Sequence, residues 1–229
     1  MNETKWKVDL HSHTLWSKDC VTRFETILRL CEQRGIDRIA ITDHNTADGA
    51  LAMQALAPDR VIVGEEIMTT QGELLAYFVR ETIPAGLTPE ETIRQLRNQG
   101  AVISVSHPFD RLRKGAWQPD DLSRIMDKVD AIEIFNARCM FASDNDKAID
   151  FARQHGLTGT TGSDAHIRPE YGRAMTQLRP FANDPEDFLD ALQSATYIQR
   201  LSGHYVHFGS KAAKWAKKLG LQKRMWPGG

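Results

Sequence analysis

The sequence predicts an α/β fold in which mostly parallel strands close into a barrel carrying one catalytic domain. Three observations predict it. Segments with strand character alternate with helical segments of about 10–15 residues, the pattern of βα units. The chain has 229 residues, a length that α/β barrels often fill without splitting. Polar residues capable of chemistry fall at or just beyond the C-terminal ends of the predicted strands, and in a parallel barrel those ends share the face where active sites lie.

The first strand ends in "VDLHSHT", residues 8–14. Strand side chains alternate faces, so His11 and His13 point the same way and can converge on one atom. "TRFETILRLCEQRG" follows with Phe24, Ile27, Leu28 and Cys31 at helical spacing, and Gly35 ends it before the strand "IDRIAIT". That strand runs into "ITDHNT", and the next, "RVIVG", into "GEEI". After a further strand, "ELLAYFV", the segment "TPEETIRQLRNQG" offers Thr88 as N-cap, Pro89 at the first helical position, Glu91 three residues past the cap and Gly100 as terminator. Those are the local signals of a capped helix. "AVISVSH" then leads to "VSHPFD", "DAIEIF" to "IFNAR", and the helix "DNDKAIDFARQHG" to the strand "LTGTTG" and to "GSDAH". A last helix, "NDPEDFLDALQSA", has Asp184 as its cap and Pro185 after it. No repeat, low-complexity tract or interdomain linker interrupts the series, so residues 1–202 are expected to form the barrel and 203–229 a basic tail.

Composition narrows the class. Charged residues make up 26% and hydrophobic residues 41% of the chain, and no apolar run approaches the roughly 18 residues of a membrane span. The start "MNETKWKVDL" lacks the basic and apolar regions of a secretory signal, which predicts a cytoplasmic location with no membrane partner. Cys20, Cys31 and Cys139 form no CxxC pair and suit reduced, partly buried thiols. The net charge of −1 hides an asymmetry, because the tail from Gly203 onward holds six basic residues and no acidic one.

The groups gathered at the strand ends are His11, His13, Asp19, His44, Glu65 or Glu66, His107, Asp164 and His166. Imidazole and carboxylate without thiolate suit Zn, Mn or Fe rather than a structural cysteine site. Eight groups exceed one ion's needs. A carboxylate shared by two cations about 3.5–4 Å apart accounts for the number and lets the cations orient a substrate oxygen and acidify a water.

The segments "DLHSHT" with Asp19, "ITDHNT", "SHPFD" and "GSDAH" resemble the four ordered motifs of the PHP family, named for polymerase and histidinol phosphatase. They span Val8 to His166. The resemblance implies a distorted (β/α)7 TIM-like barrel, a metal site at the C-terminal ends of its strands, and metal-dependent hydrolysis of phosphoesters. It implies that His11 and His13 with Asp164 hold one ion, that a bridging glutamate and His107 complete the first pair, and that Asp19, His44 and His166 form another ligand set. Of the two glutamates, Glu66 fits the family pattern and Glu65 stays an alternative. Catalysis would then depend on His11, His13, Glu66, His107 and Asp164, with a His or Asp not fully engaged as a ligand protonating the leaving group. Asn136 occupies the place where several trinuclear members have a histidine, and Asp19 stands where some have histidine, so two or three divalent ions are expected.

Phosphate also needs positive charge from the protein. Arg138, Arg168 and Arg173 are the expected substrate contacts, with Arg111, Arg113 and Lys114 as further candidates. His204 and His207 are expected to pack or dock the tail. "SKAAKWAKKLGLQKRMW" reads as a short helix with Ala213, Trp215, Ala216 and Leu219 near one side; it is expected to pack its tryptophan on the barrel, or alternatively to contact nucleic acid. Its apolar face is small for a membrane surface, and the late Trp226 hints at a contact. The expected substrate is a phosphomonoester of a small molecule or nucleotide. The alternatives are an exonuclease or phosphodiesterase acting on short DNA or RNA, and a non-catalytic, metal-stabilised interaction module.

Overall fold

The computed structural model describes residues 4–203 and 206–219, and for His207 the backbone alone. His204, the His207 side chain, Lys223, Arg224 and Trp226 lie outside the described residues. The elements run β1 (Trp6–Asp9), α1 (Phe24–Arg34), β2 (Arg38–Ile41), α2 (Asp48–Leu56), β3 (Val61–Met68), β4 (Glu73–Tyr77), α3 (Pro89–Gln99), β5 (Val102–Val105), α4 (Pro119–Ser123), β6 (Ala131–Asn136), α5 (Ala142–His155), β7 (Thr158–Gly162), β8 (Ala174–Leu178), α6 (Pro185–Leu192), β9 (Thr196–Gln199) and α7 (Val206–Lys218). The helix signals act as expected. The Thr88 hydroxyl accepts from the Glu91 N–H at 3.3 Å, Asp184 accepts from Glu186 and Asp187, and Gly35, Gly100 and Gly156 end their helices in the left-handed conformation.

One sheet carries all nine strands in the order β7-β6-β5-β4-β3-β2-β1-β8-β9. The ladders β1–β2, β2–β3, β5–β6 and β6–β7 are parallel, whereas β4 is antiparallel to both its neighbours and β8 is antiparallel to β1 and β9. The sheet is therefore less uniformly parallel than the alternation suggested. The reason is local: Thr69 and Gly72 close a tight turn between β3 and β4, and so short a link can only make a hairpin, since parallel neighbours need a crossover.

The sheet nearly closes into a barrel. Beyond β7, Asp164 donates its N–H to the His11 carbonyl at 2.7 Å, His13 donates to the Ala165 carbonyl at 3.0 Å, and Ser12 and Ala165 form a parallel bridge. Alternation along the strands sorts the apolar residues into two sets. Ile39, Ile41, Val61, Val63, Leu74 and Ala76 pack with helical residues such as Ile27, Leu30 and Met53 outside the sheet. Val8, Ala40, Ile62, Leu75 and Tyr77 fill the inside. Phe181 and Phe188 plug the end where β1 begins, with their ring centroids 5.4 Å apart. The opposite end is left to polar residues.

The three cysteines are free and buried, and burial pushes the Cys20 and Cys31 thiols up to about 12. In α7, Val206, Ala213 and Ala216 are buried while Trp215 is 66% exposed, and Leu219 just after the helix is 62% exposed. This corrects the expectation that the helix packs its tryptophan on the barrel: small residues bring α7 close and turn the indole outward. Among the described residues no helix is long and apolar enough to cross a membrane.

Candidate metal centre

Each strand end delivers its residues through a specific local device. At the end of β1, His11 and His13 are fully buried and face the barrel axis, while Ser12 between them donates to the Ala40 carbonyl at 2.7 Å. Asp9 ties this strand to two loops, accepting from the N–H groups of Ser163 and Gly172, each at 2.9 Å. Asp43, at the end of β2, gathers the loop after β1 by accepting from Thr14 N–H at 2.7 Å and from the Thr14 and Ser17 hydroxyls at 2.6 and 2.5 Å. That curl returns Asp19 to the cluster. The next residue, His44, bridges to Glu66 of β3.

Pleating separates the two adjacent glutamates. Glu66 faces the histidines, whereas the Glu65 carboxylate turns away to accept from the Ile83 N–H at 2.9 Å, and burial pushes it up to about 8. Two residues of the cluster, His107 and Asp164, have positive φ of 20° and 50°, a region costly for side chains other than glycine and concentrated at functional sites. The Glu133 carboxylate holds the His107 N–H at 2.8 Å, and the His11 carbonyl holds that of Asp164.

The spacing of donor atoms is the informative quantity. His13 Nε2 lies 3.2 Å from His11 Nε2 and 3.1 Å from Asp164 Oδ1, and Glu66 Oε1 lies 3.4 Å from His11 Nε2 and 3.0 Å from His107 Nε2. A second knot joins Asp19 Oδ1 to His44 Nε2 at 3.5 Å and to His166 Nε2 at 3.4 Å, with the two imidazole nitrogens 3.4 Å apart. Atoms that share one ion at bond lengths of about 2.0–2.2 Å stand roughly 3–3.5 Å from one another. Two imidazole nitrogens facing each other at that distance either share a proton, one ring donating to the other, or both turn their lone pairs to a common cation. Asp19 Oδ1 and His107 Nδ1 are buried without a hydrogen-bond partner. Donor type, spacing and unpaired atoms fit a divalent cation, and among the described residues three groups hold donor atoms within 4.8 Å of one another: His11, His13 and Glu66; His13, His44 and His166; and His44, Glu66 and Glu73.

Charge tells the same story. Burial alone would lower the His11 imidazole, but the carboxylates of Glu133, Glu66 and Asp164 hold it well above its ordinary range. Burial likewise opposes the charged form of His44, yet Glu66, Asp19 and Glu73 raise it to about 9. His13 moves the other way, lowered by burial and by His166 and His44. Burial favours neutral carboxyls, but His11 and His44 hold Glu66 well below the usual range, and Arg113 and His11 do the same for Asp164. The cluster is a buried excess of carboxylate for which protonated histidines supply the positive charge, a role that divalent cations fill more strongly.

All eight expected ligands thus meet in one place. Reading the sequence missed Glu73 and Glu133. Glu73 approaches His107 Nε2 at 3.5 Å, and Glu133 accepts at 3.0 Å from His11 Nδ1, fixing that ring. Glu133 carried a usable signal, an acid alternating with apolar residues inside the predicted strand "DAIEIF"; Glu73 carried none. Asn136 donates its amide to Glu133 at 3.1 Å and to Asp164 at 3.2 Å.

A cavity of about 760 Å³ opens onto Asp19, His44 and His166. Arg138 lines it, but its guanidinium is engaged by Glu170 at 3.1 Å and by Ser210 at 2.9 Å. Arg168 and Arg173 are not part of the lining; Arg113 and Lys114 are. Arg113 pairs with Asp164 and, at 3.1 Å, with Asp110. Arg111 turns instead to Asp144.

Residues 9–115 match a family profile described as PHP domain, and residues 142–197 match one described as PHP-associated. Two proteins of Methanocaldococcus jannaschii are similar. MJ1587 is 38% identical over 57% of this chain and 82% of its own length, and MJ0417 is 32% identical over 83% and 80%. Among solved structures, a two-domain protein containing a predicted PHP-like metal-dependent phosphoesterase from Bacteroides vulgatus superposes with a TM-score of 0.69 at 19% identity, covering 92% of this chain and 70% of its own. PsfC from Pseudomonas syringae gives 0.69 at 20% identity over 93% and 99%. The lesion-specific endonuclease PfuEndoQ from Pyrococcus furiosus gives 0.59 at 15% identity over 85% and 58%.

Proposed function

This chain belongs to the PHP family, and from that premise we propose that it hydrolyses a phosphomonoester of a small molecule or nucleotide. The observation that carries this reading is the set of donor atoms 3.0–3.5 Å apart around Glu66 and Asp19, which suits two or three ions of the Zn, Mn or Fe type. His11, His13, Glu66 and Asp164 would hold one ion, Glu66 and His107 a second, and Asp19, His44 and His166 another. Bound there, such ions supply Lewis acidity toward the phosphoryl oxygens and a water acidic enough to attack at neutral pH.

The chain's own residues supply the rest. Glu133 fixes the His11 ring and the His107 backbone together, so the two histidines keep one relative position. Asn136, in donating to Glu133 and Asp164, orients two carboxylates that would otherwise repel. Arg113 brings a guanidinium to the edge of the cluster, where it pairs with Asp164 and Asp110 and adds positive charge beside the phosphate position. Lys18 and Lys114 add positive charge along the cavity. The volume of about 760 Å³ suits a small ester.

A second reading, cleavage of short DNA or RNA, has one observation in its favour: α7 turns Trp215 outward between lysines, a pairing suited to bases and phosphates. Metal content and hydrolysis measured together test both. The wild type should bind two or three ions and turn over a chromogenic phosphomonoester in a chelator-sensitive way, while alanine at His11, Glu66, His107 or Asp164 should lose ions and activity with the fold kept. Full activity in those variants refutes the mechanism, and preference for an oligonucleotide, lost in K214A/K218A, selects the nuclease.

A further inference from the structure

The cavity has one wall that the expected chemistry leaves without a task. Its floor is polar, formed by Asp19, His44 and His166, but its mouth carries Phe208 and Leu112, 73% and 62% exposed. Phe208 belongs to α7, far in sequence from every strand-end motif. An apolar ring left in water beside a charged floor invites a flat partner.

The wall is fixed in place. Ser210 accepts from Arg138 at 2.9 Å, and Arg138 is itself paired with Glu170. Lys217 donates to the carbonyls of Leu15 and Ser17, in the loop that carries Asp19. Ala213 and Ala216 are buried against the barrel, and a Cβ at Gly209 would meet Ile167 at 3.0 Å, so the helix sits as close as its small residues allow. Thus α7 is tied to the loops bearing Asp19, Arg138 and His166, and it presents Phe208 to the cavity with Lys211 one turn further on.

We propose that Phe208 forms the leaving-group subsite of this cavity and selects phosphate esters that carry a flat aromatic group. With phosphate at the polar floor, the departing part of the substrate extends toward the mouth, where Phe208 and Leu112 supply faces for stacking and apolar contact. Lys211 and Lys114 flank that path and favour an anionic ester over its neutral alcohol product.

This inference rests on the hydrolytic reading for its substrate, and the test separates the two. Full-length, metal-loaded wild type, F208A and F208W are compared for turnover of 2-naphthyl phosphate and glycerol phosphate, and for calorimetric binding of the non-hydrolysable benzylphosphonate and ethylphosphonate. F208A should lower kcat/KM for the naphthyl ester about tenfold, chiefly through KM, equivalent to about 1.4 kcal/mol, and weaken benzylphosphonate by a similar factor. Glycerol phosphate and ethylphosphonate should be unaffected, and F208W should restore the aromatic pair. Equal changes for both classes, no change in either, or a wild type that binds neither phosphonate overturns the subsite. Phe208-dependent binding of benzylphosphonate without turnover of either ester sinks the hydrolytic reading and leaves the subsite standing.

Discussion

Replacing Gly162 by alanine should disable the metal centre through a single methyl group. Gly162 ends β7 directly behind His11, and a Cβ built on it would lie 2.2 Å from the His11 Cβ, 2.8 Å from the His11 nitrogen and 2.9 Å from a Glu133 carboxylate oxygen. Carbon atoms rest about 3.5–4.0 Å apart, so His11 or β7 must move by roughly 1.3 Å or more. His11 cannot yield freely, because Glu133 holds its ring at 3.0 Å and its carbonyl holds Asp164. Overpacking of this kind costs about 1–3 kcal/mol, and a displacement near 1 Å at reacting groups can cost about 100-fold in rate. Metal content by mass spectrometry, thermal unfolding and kcat/KM should therefore all fall in G162A. The control is G100A, at φ 75° with nothing within 4 Å of the new Cβ, which should lose about 1–2 kcal/mol to left-handed strain and keep its metal. A G162A protein with wild-type stability, metal content and kcat/KM refutes the reasoning.

The adjacent glutamates should separate cleanly: E66Q should lose bound metal and activity, whereas E65Q, facing Ile83, should retain both in the same assays. Metal binding should release protons, because His11 and His44 are held protonated by their carboxylate neighbours and must be neutral to ligate. With His44 at about 9 and His11 also raised, apparent affinity should climb as pH rises from 6 to about 9; calorimetry in buffers of different ionisation enthalpy would count the protons, and a pH-independent affinity would contradict the assignment. Removing the cap of α6 in D184A, which strands two N–H groups now bonded at 3.0 and 3.1 Å, should cost about 1 kcal/mol, or roughly 2–4 °C in Tm for a domain of this size, with kcat/KM unchanged.

Several parts of this protein were legible because their causes are local. Helix limits follow from Thr88, Asp184 and the terminating glycines, each acting on a backbone group a few residues away. The convergence of His11 and His13 follows from pleating alone, and the ordered motifs carry the family and the barrel with them. The strand-end pattern alone left Glu65 and Glu66 open and the family resemblance favoured Glu66; register gives the physical reason, since β3 continues to Met68, so Glu66 faces the axis and Glu65 the side of Ile83. Glu73 entered the cluster only through the β3–β4 hairpin, a pairing that no alternation pattern encodes. The arginines near the motifs could be counted along the chain, but reach is three-dimensional, and the fold engages Arg138 with Glu170 and Arg111 with Asp144 while aiming Arg113 at the cluster. The same holds for α7, whose basic and apolar residues were visible, though only packing of Ala213 and Ala216 turned Trp215 outward and set Phe208 at the cavity mouth. What the sequence determined by itself are the groups and the local backbone that offers them, since short-range hydrogen bonds and side-chain alternation act within a few residues. Which of those groups meet, and at what distance, was decided by barrel closure, because contacts between residues as distant as His11 and Asp164 exist only once every strand between them has found its neighbour.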